Sequence, residues 1–176
     1  MSEFKMLRQK AVLHSRVFYV SKQEWRGPNG RFQRDTVVHP GAVAILPFDN
    51  KGRVIMIRQF RPAVGDWMLE IPAGTLEKGE QPLACAKREL IEEIGFAAKR
   101  WQKLGAVYTA PGFCTELIHL YKAWDLKSDF AEKDEDEHIK LAVMSMTQVR
   151  RAVKSGKIQD AKSLSALMCL DVLGRI

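Results

Sequence analysis

The chain has 176 residues, 46 % of them hydrophobic, with 28 Lys and Arg against 21 Asp and Glu and a net charge of +7 at pH 7. These values exclude a disordered or low-complexity polypeptide and suit one soluble core with a small appended piece. The positive surplus favours anionic partners, without choosing among nucleotides, phosphorylated metabolites and nucleic acid.

The first twenty residues, MSEFKMLRQKAVLHSRVFYV, contain no uninterrupted apolar run and no small-residue cleavage site. Residues 10–39 read as β-structure: VFYVSKQEW and RFQRDTVVH flank the turn cluster Gly27-Pro28-Asn29-Gly30. Residues 1–39 are therefore set apart from a main domain at 40–176. GAVAILPF (41–48) and RVIMIRQF (53–60), joined by Asp49-Asn50-Lys51-Gly52, read as a second hairpin. MLEI (68–71) is a short strand. Pro82 suits the first turn of a helix and Gly95 its end, with Leu83, Ala86, Leu90 and Ile94 as its apolar stripe. KLGAVYTA (103–110), ELIHLYKAW (116–124) and HIKLAVMSM are further strands, the last preceded by acidic residues Glu132 to Glu137. Thr147 is placed to cap a helix ending near Gly156, and residues 160–173 form a last helix with Leu164, Leu167 and Val172 among its apolar positions. One central helix among strands, with two helices at the end, predicts an α/β (α+β) fold: an α/β/α sandwich around a mixed sheet.

The three cysteines, Cys85, Cys114 and Cys169, are far apart and form no Cys-x-x-Cys pair. A reduced, cytoplasmic setting is expected. No segment reaches the roughly 20 apolar residues of a membrane span, so no membrane partner is expected.

The chemistry concentrates in the central helix. Glu89, Glu92 and Glu93 stand three and four residues apart and crowd one arc of about 100°. Like charges at this spacing weaken a helix unless something compensates them. Arg88 compensates in part, and a hard divalent cation such as Mg²⁺ does so more fully. A solvated acidic face would explain three glutamates alone. The loop ahead of the helix changes that balance: Gly74 and Gly79 permit a backbone that brings Glu80 and the carbonyl of Ala73 toward the helical carboxylates.

Residues 74–96 resemble the Nudix box, Gly-x5-Glu-x7-Arg-Glu-U-x-Glu-Glu-x-Gly-U with U apolar. Gly74, Glu80, Arg88, Glu89, Leu90, Glu92, Glu93, Gly95 and Phe96 all fall in place. The resemblance implies a Nudix hydrolase that splits nucleoside diphosphates linked to another group. It implies that Glu89 and Glu93 bind Mg²⁺, with Mn²⁺ as a substitute. Glu92 would assist or bind a further ion, the Ala73 carbonyl would complete a shell, Glu80 would support the site and Arg88 would orient the glutamates.

Outside the box, Ala110-Pro111-Gly112-Phe113-Cys114-Thr115-Glu116 resembles the Pro-Gly-Phe-x-x-Glu element of the ADP-ribose pyrophosphatase and nucleoside diphosphate sugar hydrolase branch. Arg58-Gln59-Phe60-Arg61 resembles that branch's Gln-aromatic-Arg run, which assigns Arg61 to substrate phosphate. Glu70, in the strand leading into the box, is assigned to the substrate or to a supporting partner. The run Asp134-Glu135-Asp136-Glu137 resembles the loop carrying the catalytic base: Glu135 is taken as base and Glu137 as an additional metal ligand, and the two could be exchanged. Asp160 suits a helix cap, whereas Lys162 in the same first turn has the wrong sign for the helix dipole, which assigns this Asp160–Lys162 element to a substrate phosphate or sugar. An Asp-x-Lys element there resembles nucleoside diphosphate sugar hydrolases. The branch is homodimeric through exchanged N-terminal strands, which makes Trp25, Arg26 and Phe32, beside the first turn, candidates for dimer packing or nucleotide contact.

The activity so implied is hydrolysis of ADP-ribose or a related nucleoside diphosphate sugar to a nucleoside monophosphate and a sugar phosphate. Two alternatives stay open: an RNA 5′-end pyrophosphohydrolase, for which no single-strand groove is legible, and a non-catalytic sugar-nucleotide sensor, against which the full set of box carboxylates speaks. Nucleic acid is accordingly not the expected partner.

Overall fold

A computed structural model describes residues 3–129 and 139–172. Its elements run in the order β1 (Lys5–His14), β2 (Tyr19–Gly27), β3 (Gly30–Val38), β4 (Ala42–Pro47), β5 (Val54–Arg61), β6 (Asp66–Glu70), β7 (Ala73–Thr75), α1 (Pro82–Ile94), β8 (Phe96–Tyr108), β9 (Leu117–Ser128), β10 (Ile139–Met144), α2 (Met146–Lys154) and α3 (Ala161–Val172).

Two compact units divide the chain. One comprises residues 1–41 and 108–117, the other residues 42–107 and 118–176. In the first, β1, β2 and β3 form an antiparallel sheet. Gly27 pairs with Gly30 across the two-residue loop Pro28-Asn29, as the turn cluster predicts. Residues 108–117, which carry Pro111 and Glu116, belong to this unit rather than to the remainder of the chain. Within it Val37 N donates to the Phe113 carbonyl at 2.7 Å and Thr115 N to the Val37 carbonyl at 2.9 Å.

The second unit holds a mixed sheet in the order β7-β4-β9-β8 and an antiparallel sheet in the order β10-β5-β6. β4 runs parallel to β9, with Ala42 opposite Ile118 and Pro47 opposite Ala123. Every residue of β4 is buried, as expected of a strand covered on both faces. Because side chains alternate along a strand, β4 feeds two layers. Ala42, Ala44 and Leu46 pack with Val149 and Ala152 of α2 and Ala166 and Leu170 of α3. Val43 and Ile45 pack with Cys85, Ala86, Leu90 and Ile94 of α1. Full burial of one such Ile or Leu contributes on the order of 1.5–3 kcal/mol. The expected α/β/α layering with a mixed sheet is what this unit shows.

Several local expectations are corrected. β4 and β5 form no ladder with each other; only an isolated Phe48–Val54 bridge stands between them, and they enter different sheets, so 41–60 is not a regular hairpin. On α1, Leu83 is exposed and Cys85 takes its place in the buried stripe. Ser145, not Thr147, caps α2: its hydroxyl accepts from Gln148 N while Gln148 Oε1 accepts from Ser145 N, a capping box that outcompetes a single Thr hydroxyl. On α3, Leu164 and Leu167 pack against the core as expected and Ser163, Ala166 and Leu170 are fully buried beside them, but Val172 is exposed.

Candidate active site

The site grows out of strand register. β7 pairs antiparallel with β4, with Ala73 opposite Ala44 and Gly74 opposite Val43. Val43 faces α1, and directly paired residues share a face, so a side chain at position 74 would point at the helix. That space is taken by the carboxylate of Glu89: a Cβ on Gly74 would stand 1.8 Å from Cδ, 2.0 Å from Oε1 and 2.3 Å from Oε2. Only glycine lets the strand and this carboxylate approach so closely.

On α1 the stripe that meets the sheet includes Cys85, Ala86, Leu90, Glu93 and Ile94. Glu93, 2 % exposed, lies within that stripe. Its Oε2 accepts a hydrogen bond from Ala73 N at 2.9 Å. Glu92 points outward, its side chain 40 % exposed. Helix end and turn fit the sequence: Pro82 occupies the first turn, and Gly95, at φ 71°, caps the C-terminus in the left-handed conformation with its N–H on the Ile91 carbonyl.

Arg88 gathers the acids. Its Nη1 donates to Glu89 Oε1 and Glu92 Oε2, both at 2.8 Å. Its Nε and Nη2 donate to the two carboxylate oxygens of Glu80 at 3.1 and 3.0 Å. Nη2 also reaches the Thr75 carbonyl at 3.3 Å and Cys85 Sγ at 3.4 Å. This planar fork explains why Arg rather than Lys occupies the position. The hydrogen bonds from Arg88 hold the Glu80 carboxyl at about 2, and those same bonds raise the Arg88 guanidinium above its ordinary value. Glu80 also accepts from Glu77 N at 3.0 Å, which closes the loop. Cys85 is pushed up to about 12, first by burial and then by the charges of Glu80 and Glu89.

A second charged group lies beside the first. Glu70, 1 % exposed on β6, accepts from Arg61 Nε at 3.2 Å on both oxygens and from Arg61 Nη2 at 2.6 Å. Lys162 Nζ donates to the same carboxylate at 2.5 Å and to Asp160 Oδ1 at 2.9 Å. Burial acts to raise the Glu70 carboxyl, but the bonds from Arg61 and the charge of Lys162 outweigh it and bring it below the ordinary range. Burial likewise opposes the Arg61 charge, and Glu70, Glu93 and Asp160 together raise it above its usual value. Arg61 therefore feels Glu93 of the box as well as Glu70. Asp160 Oδ1 accepts from Ser163 N at 3.0 Å, the capping role expected of it. Ser163 Oγ accepts from Ile71 N at 2.9 Å, tying the start of α3 to the strand that leads into the box.

The structure thus brings together Ala73, Glu80, Arg88, Glu89, Glu92 and Glu93, and separately Arg61, Glu70, Asp160 and Lys162. Trp25, Arg26 and Glu116 belong to the N-terminal unit. There Trp25 Nε1 donates to Gln23 at 3.0 Å, Arg26 is exposed, and Glu116 accepts from Thr109 Oγ1 at 2.9 Å with His39 Nε2 at 3.7 Å. Glu135 and Glu137 lie outside the described residues. Sequence reasoning missed Cys85, Thr75, His39 and Ser163. Only Ser163 had a signal, its three-residue spacing from a capping Asp.

The oxygen donors of Glu89, Glu93 and the Ala73 backbone suit a hard divalent cation, and the glycine-only approach of strand to carboxylate fits such a cradle. Among the described residues no three His, Cys, Asp or Glu side chains already converge as a cage, since Arg88 holds the outer acids.

A model of the NUDIX domain matches residues 38–167. The chain belongs to the Nudix family. An ADP-ribose pyrophosphatase of Bacillus subtilis (strain 168) is 37 % identical over 173 residues, covering 97 % of this chain and 94 % of that protein. A GDP-mannose pyrophosphatase of Cronobacter sakazakii is 37 % identical over 145 residues, covering 76 % of this chain and 74 % of that protein. Among solved structures, a crystal structure of an ADP compounds hydrolase superposes with a TM-score of 0.86 at 26 % identity, covering all of this chain and 98 % of that one. The Nudix box expected at residues 74–96 falls inside the matched domain, and no helix among the described residues is long and apolar enough to cross a membrane.

Proposed function

We propose that this Nudix enzyme hydrolyses the diphosphate bridge of ADP-ribose or a related nucleoside diphosphate sugar, giving a nucleoside monophosphate and a sugar phosphate. The observation that carries the reading is the Gly74–Glu89 approach, in which a box strand and a box carboxylate occupy space that any side chain would deny them. The names and coverage of the relatives support the substrate class.

Mg²⁺, or Mn²⁺ in its stead, would be held by Glu89, Glu93 and the Ala73 carbonyl, with Glu92 and Glu137 as further ligands. When bound, such an ion neutralises phosphate oxygens and lowers the pKa of a coordinated water. The chain's own residues do the rest. Arg88 orients Glu80, Glu89 and Glu92 through its hydrogen bonds. Arg61 presents a guanidinium fork to a substrate phosphate, backed by Glu70 and the Asp160–Lys162 pair. Glu135 removes the proton of the attacking water, unless Glu137 holds that role. Trp25, Arg26 and Glu116 contact the nucleotide or its sugar.

The working form is a homodimer. The large apolar side chains Phe4, Met6, Val12 and Leu13 are exposed on and beside β1, which supports this. The three free thiols agree with a cytoplasmic enzyme.

Assay of a panel of nucleoside diphosphate sugars, each with Mg²⁺ and with Mn²⁺, tests the activity. Release of a nucleoside monophosphate from ADP-ribose or GDP-mannose is expected. Turnover of 5′-triphosphate RNA in preference to every sugar nucleotide would overturn it.

A further inference from the structure

Lys162 is a largely buried cation whose charge is taken up by its own partners. Its side chain is only 12 % exposed, and its ammonium is bonded to two carboxylates, Glu70 and Asp160. Glu70 is in turn a buried acid that faces two cations at once, Lys162 and Arg61. Of those cations, Arg61 is the open one: its side chain is 36 % exposed. It spends Nε and one Nη2 N–H on Glu70, and both N–H groups of Nη1 have no acceptor among the described residues.

Resting on the reading of the site given above, we infer that Lys162 is a positioning residue that acts on substrate phosphate through Glu70 and Arg61 and does not touch it. A buried carboxylate needs a neutralising partner. If Arg61 were the only one, its charge would be consumed by Glu70 and by Glu93, and its guanidinium would be drawn inward. Lys162, anchored by Asp160, neutralises Glu70 from the rear. Arg61 then keeps its Nε and Nη2 donors on Glu70, which fix the plane of its fork, while its charge and its Nη1 face stay available to an incoming phosphate. The wrong-signed lysine in the first turn of α3 is explained without a ligand of its own: Asp160 and Glu70 supply the negative charge that the helix N-terminus withholds.

A double-mutant cycle separates this relay from direct contact. In the full-length protein, Lys162→Met is expected to raise KM for ADP-ribose by about tenfold with kcat within about threefold, the pattern of lost uniform binding. In a Glu70→Gln background, where the neutral amide needs no second cation, the same replacement should change KM by less than about twofold. Should Lys162→Met fail to fold, Lys162→Gln, which retains a donor for Glu70 without the charge, is read in the same cycle. The affinity of the same four proteins for ADP, measured by calorimetry without added metal, repeats the cycle without turnover. An equal effect of the lysine replacement in both backgrounds overturns the relay in favour of direct contact. A lowered melting temperature with unchanged KM and ADP affinity overturns it in favour of a structural role alone. Coupling in ADP affinity without any turnover of sugar nucleotides sustains the relay and rejects the proposed activity instead.

Discussion

The Glu89 carboxylate occupies the space that a side chain on Gly74 would fill, with Cδ 1.8 Å from the site of a Cβ. The clash is with the far end of a flexible side chain. An added methyl group therefore displaces the acid rather than the strand. Gly74→Ala should leave the melting temperature within a few degrees of wild type, because Glu89 can swing away. Turnover should fall about 100-fold, the usual scale for displacing a functional group by an ångström. Thermal melts and kcat on one preparation check this, and a variant that unfolds while keeping its specific activity would contradict it.

Glu93 combines burial with a defined hydrogen bond. In Glu93→Gln the amide oxygen still accepts from Ala73 N, so the loop should stay closed and the fold intact. The lost negative charge should lower turnover by at least about 100-fold and weaken the dependence on Mg²⁺. Titration of activity against Mg²⁺, with circular dichroism as control, reads both. Wild-type turnover in this variant would count against Glu93 as a metal-binding charge.

Glu80 predicts part of the acid stability. Its carboxyl, ordinarily near 4.5, is held at about 2 in the folded chain by Arg88. A folded value below the unfolded one means that the stabilisation is complete above about 4.5 and is lost as pH falls from there through about 2. Glu80→Gln cannot titrate and should flatten the decline of unfolding free energy across that window. Urea melts at half-unit pH steps measure the slope, and equal slopes in both proteins would remove Glu80 from the account.

Cys85 should be inert. It is buried, donates to the Thr75 carbonyl, accepts from Arg88, and has its thiol pushed up to about 12. Since the thiolate is the reactive form, native protein at pH 8 should be labelled by iodoacetamide at Cys114 and Cys169 at least about 100-fold faster than at Cys85. Peptide mapping by mass spectrometry distinguishes the three, and urea should abolish the difference. Rapid native labelling of Cys85 would mean that the loop around Arg88 opens readily.

The box was legible because its information is local. Proline and glycine bound the helix, and the acids and Arg88 sit within two turns of one another, so the loop–helix unit follows from spacing. The rest depends on partners distant in the chain. Ala42 pairs with Ile118, and no local pattern distinguishes that parallel neighbour from the hairpin partner that the 53–60 run seemed to offer. Lys162 meets Glu70 across the domain, which is why its charge looked like a ligand's when only its own helix was considered. Thr147, the cap expected from sequence, gives way to Ser145 because Gln148 answers Ser145 reciprocally. His39 stands beside Glu116 only after β3 and the 108–117 segment are brought together.

β4 carries one last implication. Its odd-numbered side chains bear on the acidic helix and its even-numbered ones on the two helices behind. A void opened at Leu46 is therefore separated from the layer of the acidic helix by the strand alone. Replacements on the rear helices, remote from any charge, should alter catalytic precision along with heat tolerance, so the two traits cannot be tuned separately through that wall.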